Sequence, residues 1–224
     1  MKKKLLTFEK VSLMIGEERL LAPFSFTLHE GEAIGLVGPS GAGKSQLLQA
    51  IVGLSKARVE GKILYKDRPL HCLRKEELQA IRGKEIGLIL QNPFAQFNPT
   101  RTVGAQLLES FSTKTKNREE RALEAVTLLD QLHIEDPTKL LASFPHEVSG
   151  GMLQRALIAM FLLIKPSVLL SDETTTALDP VSIHHLFRVL KTSDTSHIFV
   201  THNQKAASYF CDRVFFIKEG VLCS

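Results

Sequence analysis

The sequence predicts an α/β fold, a mostly parallel sheet with a helical lobe set into it, and three observations carry that reading. The apolar run Ala33-Ile34-Gly35-Leu36-Val37 reads as a buried strand, and it passes through a glycine-rich loop into a segment whose Leu47, Leu48, Ile51 and Val52 share one helical face. Two further short apolar runs, Val168–Leu170 and Ile198–Val200, read as buried strands of the same sheet. Between these strand regions the stretch from about 92 to 156 is mainly helical in its periodicity, so strands resume on both sides of an insertion.

Taken in order, residues 5 to 37 hold short strand-like stretches, among them Phe24–Leu28 with period-two alternation. Ile86 to Leu90 is another apolar strand. Arg118 to Leu132 is helical, with Ala122, Val126, Leu129 and Leu132 on one stripe and Pro137 just beyond. Met152 to Ile164 is a further helix, stopped by Pro166. Arg213–Lys218 is a last strand before the turn at Glu219-Gly220. No internal repeat is visible.

The length of 224 residues suits one domain with an appended lobe. Hydrophobic residues at 44% and charged residues at 23% are the ordinary globular mix and exclude collagenous and low-complexity classes. The net charge of +4 owes part of its excess to Lys2, Lys3 and Lys4, which gives little support to nucleic-acid binding. Cys72, Cys211 and Cys223 are odd in number and lack Cys-x-x-Cys spacing, which points away from a disulfide framework or a zinc site and toward a reducing compartment. The longest greasy segment, Leu157–Leu170, is broken by Lys165 and Pro166 and falls short of the roughly 20 apolar residues of a membrane span. Leu5-Leu6-Thr7-Phe8-Glu9 is no signal-peptide core, so a cytosolic chain that meets membranes only through a partner is expected.

Gly38-Pro39-Ser40-Gly41-Ala42-Gly43-Lys44-Ser45 fits the pattern Gly-x4-Gly-Lys-Ser/Thr and lies between a strand and a helix, the placement that pattern requires. Its glycines let the backbone wrap an anion, helix N-terminal amides face phosphate, Lys44 neutralises outer phosphates, and the Ser45 hydroxyl suits Mg2+. Val168-Leu169-Leu170-Ser171-Asp172-Glu173 is a buried strand ending in two carboxylates, where ligands gather in open α/β sheets. Asp172 suits a Mg2+ held through water, and Glu173 suits polarising an attacking water. Ser149-Gly150-Gly151-Met152 opens a long helix as a second amide cluster of phosphate grade, and one nucleotide does not need two cradles. Taken singly, each string also has a bland reading: a turn, a solvated strand end, a helix cap.

In combination they resemble a known family. The chain resembles the ATP-binding-cassette (ABC) nucleotide-binding subunits over nearly its whole length: Gly38 to Ser45 is similar to their Walker A, Gln91 to the Q-loop glutamine, Ser149 to Met152 to the signature, Asp172 and Glu173 to Walker B, Ala177-Leu178-Asp179 to the D-loop and His202 to the switch histidine. The resemblance implies a P-loop NTPase cassette: a RecA-like, mostly parallel sheet core, an antiparallel β subdomain and an inserted helical subdomain at about 92–156, all within one domain, 1–224. It implies ATP and Mg2+ as cofactors. Glu173, His202 and Gln91 would then be catalytic, Ser45, Gln91 and Asp172 would face Mg2+, and Gly38–Ser45, Ser149–Gly151 and Ile15 would face nucleotide. Without the resemblance, Gln91 reads equally as an exposed polar residue and His202 as a strand-end histidine. His184 and His185 are expected on the surface.

Gln91-Asn92-Pro93-Phe94, Phe97-Asn98-Pro99 and Phe144-Pro145-His146-Glu147, running into Ser149-Gly150-Gly151-Met152-Leu153-Gln154-Arg155, resemble the oligopeptide, dipeptide and nickel importer ATPases, most of all the nickel-type D subunit. That group implies a head-to-tail pair of cassettes, as heterodimer or homodimer, two permease subunits, an extracytoplasmic solute-binding protein, no nucleic acid, and a peripheral place on the cytoplasmic face of the membrane. Three departures stand out. Ser171 and Thr174 replace the usual alanine and proline beside the carboxylates. Ile15 stands where an adenine-stacking aromatic is expected, with Phe8 as a rival for that contact. The sequence ends at Ser224, where peptide and nickel ATPases continue into a C-terminal extension. A soluble cassette acting on nucleic acid and a P-loop kinase for a small molecule are the alternatives; the stretch from Lys44 to Ser149 has room only for a compact lobe, and a kinase leaves Ser149, Gln91 and His202 idle.

Overall fold

The computed structural model describes residues 2–111, 117–176 and 180–223. The elements run β1 (Lys4–Ile15), β2 (Glu18–His29), β3 (Ala33–Val37), α1 (Lys44–Ile51), β4 (Arg58–Tyr65), β5 (Arg68–Pro69), α2 (Lys75–Ile81) and β6 (Ile86–Ile89). They continue with α3 (Val103–Glu109), α4 (Arg118–Gln131), α5 (Pro137–Ala142), α6 (Gly150–Ile164), β7 (Val168–Asp172), α7 (Pro180–Lys191), β8 (Ser196–Thr201), α8 (Gln204–Phe210), β9 (Arg213–Lys218) and β10 (Val221–Cys223). The chain divides into two compact units: Met1–Leu88 with Ser167–Glu173 and Asp194–Ser224, and Ile89–Pro166 with Thr174–Ser193.

The first unit is built on two sheets. One is antiparallel, in the order β2-β1-β4-β5, and the other runs β10-β9-β3-β8-β7-β6. In the second sheet β3 pairs in parallel with both β8 and β9, and β7 pairs in parallel with β8. Every residue of β3, β7 and β8 is buried, as expected of strands covered on both faces. The cores of the two sheets are continuous, joining Leu6, Phe8, Leu13 and Leu28 to Ile34, Leu36, Leu47, Leu170 and Val200.

Where the sequence indicates several short strands in residues 5 to 37, β1 and β2 are each 12 residues long. Register shifts between Phe8 and Val11 and between Val11 and Leu13 break the alternation, and Gly61 of β4 would drive a Cβ to 2.3 Å from the Lys10 carbonyl. The expected strand to Leu90 ends at Ile89, because the Leu90 N–H donates to the Gln96 Oε1 at 2.6 Å instead of continuing a ladder.

The second unit is helical. In α4 Leu129 and, at the C-cap, Leu132 are buried as expected, but Ala125 completes the buried line in place of Ala122 and Val126, which are half-buried. Both lines have helical spacing, so packing alone decides between them. Helix α6 begins at Gly150, two residues before the expected start, because Ser149 caps it; it ends at Lys165 in the left-handed region before Pro166. His184 is exposed, as expected of a surface residue, but His185 is half-buried against the His133 ring, 3.7 Å between centroids. Among the described residues no helix is long and apolar enough to cross a membrane.

Candidate functional site

Strand β3 lies between β8 and β9, so the loop after Val37 leaves the carboxyl end of the sheet's middle. Gly38 is forced by close approach: a Cβ there would lie 3.0 Å from the Ile217 carbonyl oxygen. Gly43, the N-cap of α1, is forced by backbone, with φ 83° in the left-handed region and Leu21 Cγ 3.2 Å from where its Cβ would stand. No side chain caps α1 and no acidic residue sits in its first turn, so its N-terminal amides and dipole favour an anion. Ser40, Gly41 and Ala42 complete the turn, with Gly41 also at φ 83°.

Lys44 is only 4% exposed, and its Nζ donates to the carbonyls of Gly38 at 2.9 Å and Pro39 at 2.7 Å. Two of three ammonium donors are thereby aimed into the loop. Burial lowers the Lys44 pKa, and the charges of Glu173 and Asp172 oppose that shift. Asp172 closes β7, 5% exposed. Burial raises its pKa, a Ser45 hydrogen bond lowers it, Glu173 raises it and Lys44 lowers it, with the net shift upward. Its Oδ1 is buried without a hydrogen-bond partner. A buried carboxylate oxygen lacking a partner, beside a serine hydroxyl, is the hard-oxygen donor set that Mg2+ takes.

Glu173 follows in the left-handed region, φ 49°, a conformation that costs a non-glycine residue about 1–3 kcal/mol. Its N–H donates to the Val200 carbonyl at 2.9 Å, which holds it on the ladder of β7 with β8. Its Oε2 lies 3.5 Å from Nδ1 of His202, which is mostly exposed just past β8. The chain just after it is anchored: the Asn203 N–H donates to the Thr201 hydroxyl, and the Asn203 side chain caps α8. Ser171 and Thr174, which flank the two carboxylates in sequence, are both 4% exposed.

Ile15 ends β1 opposite Glu18 and is 45% exposed. Leu13, two residues back, pairs with the same Leu21 that contacts Gly43, so the hairpin rises from the phosphate loop. Phe8 is removed as a rival for the base: it is 1% exposed and stacked on Phe26 at 4.3 Å between centroids.

Gln91 and the Ser149 loop belong to the second unit. Gln91 is exposed; beyond it the Asn92 side chain accepts from the Phe94 N–H. Ser149 is exposed, and its Oγ accepts from the Met152 N–H at 3.3 Å, capping α6. Phe94 lies 3.6 Å from where a Cβ of Gly150 would stand, so the segment after Gln91 packs against the start of α6. Sequence reading missed this contact, for which only the bulky, exposed Phe94 gives a signal. Gly151 lies in the first turn of α6; Ala177-Leu178-Asp179 lies outside the described residues.

Residues 21–176 match the family described as ABC transporter. The chain belongs to that family. Its ABC relatives include the metal-staphylopine import system ATP-binding protein CntD of Staphylococcus aureus (strain NCTC 8325 / PS 47), 34% identical over 92% of this chain and 79% of the relative. The oligopeptide transport ATP-binding protein OppD of Bacillus subtilis (strain 168) is 40% identical over 92% of this chain and 60% of the relative, so the chain spans well under two thirds of that protein. The dimeric post-hydrolysis structure of the ATP-binding cassette MJ0796, bound to ADP and Pi, is 28% identical with a TM-score of 0.83, covering 97% of this chain and 96% of that one. The fold is therefore an ABC cassette with a mostly parallel core sheet and an antiparallel sheet, and the chain is an ABC ATPase that binds ATP.

Proposed function

We propose that this ABC ATPase powers an importer that takes up a small solute, a metal chelate such as a nickel complex or a short peptide, through separate permease subunits. The names of the relatives, a metal-staphylopine importer and an oligopeptide transporter, support the solute class. The observation that carries the catalytic reading is the meeting of Lys44, at the start of α1, with Asp172 and Glu173, at the end of β7, with a partnerless buried oxygen on Asp172. Gly38–Ser45 would wrap the phosphates, Ser45, Asp172 and Gln91 would hold Mg2+, and Ile15 would lie against adenine. Mg2+, when bound, supplies neutralisation of phosphate charge. Glu173 accepts a proton from the attacking water, His202 contacts the γ-phosphate, and Gln91 senses the outer phosphate from the helical insertion. Ser149, Gly150 and Gly151 would serve the nucleotide of a second cassette, in a heterodimer or homodimer placed head to tail. The pair would sit peripherally on the cytoplasmic membrane face, with two permease subunits and, through them, an extracytoplasmic solute-binding protein; nucleic acid has no part.

The test is Glu173→Gln. ATP binding is expected to persist, turnover to fall by about 10²–10⁴, the range of a general base, and an ATP-bound dimer to accumulate on size-exclusion chromatography with ATP and Mg2+. Hydrolysis at the parental rate in the assembled complex overturns the role of Glu173. Membrane proteins that co-purify with the chain, and the ligand of their binding protein, identify the solute.

A further inference from the structure

The second unit carries a group of imidazoles apart from the strand-end site. His133 stands just past the end of α4, its backbone in the left-handed region at φ 57° and its N–H donating to the Asp130 carbonyl at 2.8 Å. Its side chain is exposed. The half-buried ring of His185 on α7 meets it, centroids 3.7 Å apart and planes at 46°. His184, exposed, stands edge-on to His185 at 6.0 Å.

We propose that His133 and His185 together bind one divalent transition-metal ion of the zinc, nickel and copper group, with water in the remaining positions. Imidazole is the ligand these ions share, and hard ions such as Mg2+ prefer oxygen. Metal–nitrogen bonds of about 2.0–2.1 Å require the two rings to part by about 1.5 Å from their stack. The exposed His133 side chain has that freedom, while its backbone is anchored and His185 is held by the packing of α7. Among the described residues no cluster of three histidine, cysteine or acidic side chains forms a closed site, so the chelate is bidentate and exchangeable, unlike a structural zinc centre. The Arg155 Nη1 donates to the His133 carbonyl at 2.8 Å, which anchors the backbone of the turn that carries the His133 ring. A bound ion would tie α7 to the turn after α4, two elements that the sequence separates by about fifty residues.

The test uses the tag-free full chain, stripped with chelator, titrated with ZnCl2 and separately with NiCl2 by calorimetry. One equivalent is expected. His185→Ala and His133→Asn should each weaken binding by about tenfold or more, the loss of one of two ligand bonds, whereas His184→Ala should leave it within about twofold. Asparagine is chosen at 133 because it tolerates the left-handed backbone. Metal-free melting curves of all three variants show whether the fold is kept. The proposal is overturned if no saturable uptake occurs, or if either His133→Asn or His185→Ala folds normally and binds as the parent does.

Discussion

Two helices of this chain begin with a glycine-rich turn, and they begin differently. Helix α1 starts at Gly43 in the left-handed region with no side-chain cap, while α6 starts at Ser149 in extended backbone with its hydroxyl accepting from the Met152 N–H. Both ends present amides and a positive dipole. At α1 the chain leaves the amides open and adds a buried lysine and a hydroxyl, with two carboxylates of the same unit beside them. At α6 the cap is already satisfied and exposed, and no lysine is supplied by the loop. The first turn leaves its amides open to an anion, and the second has its Met152 amide already capped; on the proposed head-to-tail arrangement the second would serve a phosphate brought by another subunit.

The sharpest way to break this comparison is to damage each turn separately. Ser149→Arg should leave ATP binding by the isolated chain within about twofold and reduce hydrolysis by the assembled complex about 10²–10³, the cost of removing a transition-state donor. Lys44→Ala should lower the isolated chain's ATP affinity about a hundredfold, since hydrogen bonds to charged groups contribute about 1.5–3 kcal/mol each. If Ser149→Arg costs the monomer as much affinity as Lys44→Ala, the two turns serve one nucleotide.

Acid should act on the unit that carries the first turn. His197 lies on β8 beside β3, and both its ring nitrogens are buried without partners; burial lowers its pKa to about 4. Unfolded, it titrates near its ordinary value of about 6.5. The unfolded chain therefore binds more protons below pH 6.5, so stability is full above 6.5, falls between 6.5 and 4 and levels off below. That shift corresponds to at most about 3 kcal/mol. Chemical denaturation at pH 7.5 and 4.5 should show the loss, and His197→Phe should remove most of it. An unchanged pH dependence in a folded His197→Phe variant counts against His197 as the source.

A smaller contrast lies in the glycines. Gly43→Ala meets both a left-handed backbone and Leu21, so it should destabilise by about 1–3 kcal/mol. Gly150 is helical and a Cβ there meets only Phe94 at an ordinary 3.6 Å, so Gly150→Ala should stabilise by up to about 1 kcal/mol. Melting temperatures of the two variants should move in opposite directions; a loss at Gly150 equal to that at Gly43 would mean that both turns depend on glycine backbone.

Around the first turn, Lys44 and Ser45 were legible because they are fixed locally, and Asp172, Glu173 and His202 because each follows a buried apolar strand. A buried strand, a glycine turn and a helix cap place Lys44 and Ser45, and neighbouring parallel strands bring Asp172, Glu173 and His202 alongside. What escaped depends on packing across distance. The bulges of β1 answer to Gly61 on another strand, the face of α4 to its helical neighbours, and the burial of His185 to His133 about fifty residues away. The contact of Phe94 with Gly150 is of the same kind, since both residues are ordinary in their own surroundings.

A last contrast concerns the base of a nucleotide held at the first turn. Ile15, 45% exposed at the tip of the first hairpin, offers dispersion contact but no π face, and Phe8 is sealed in the core. Stacking a base on an aromatic ring is worth about 1–3 kcal/mol, so affinity here rests on phosphate, and the isolated chain should separate ATP from GTP only weakly. Ile15→Tyr places a ring where the isoleucine now stands and should tighten ATP binding by up to about tenfold, one decade for each 1.4 kcal/mol. The first turn would then hold its nucleotide at both ends, while the Ser149 turn, which on the proposed arrangement would meet phosphate only, should show no change in its contribution to hydrolysis. A parent chain that already prefers ATP strongly and an Ile15→Tyr variant that binds identically would together mean that the base is held elsewhere on the hairpin.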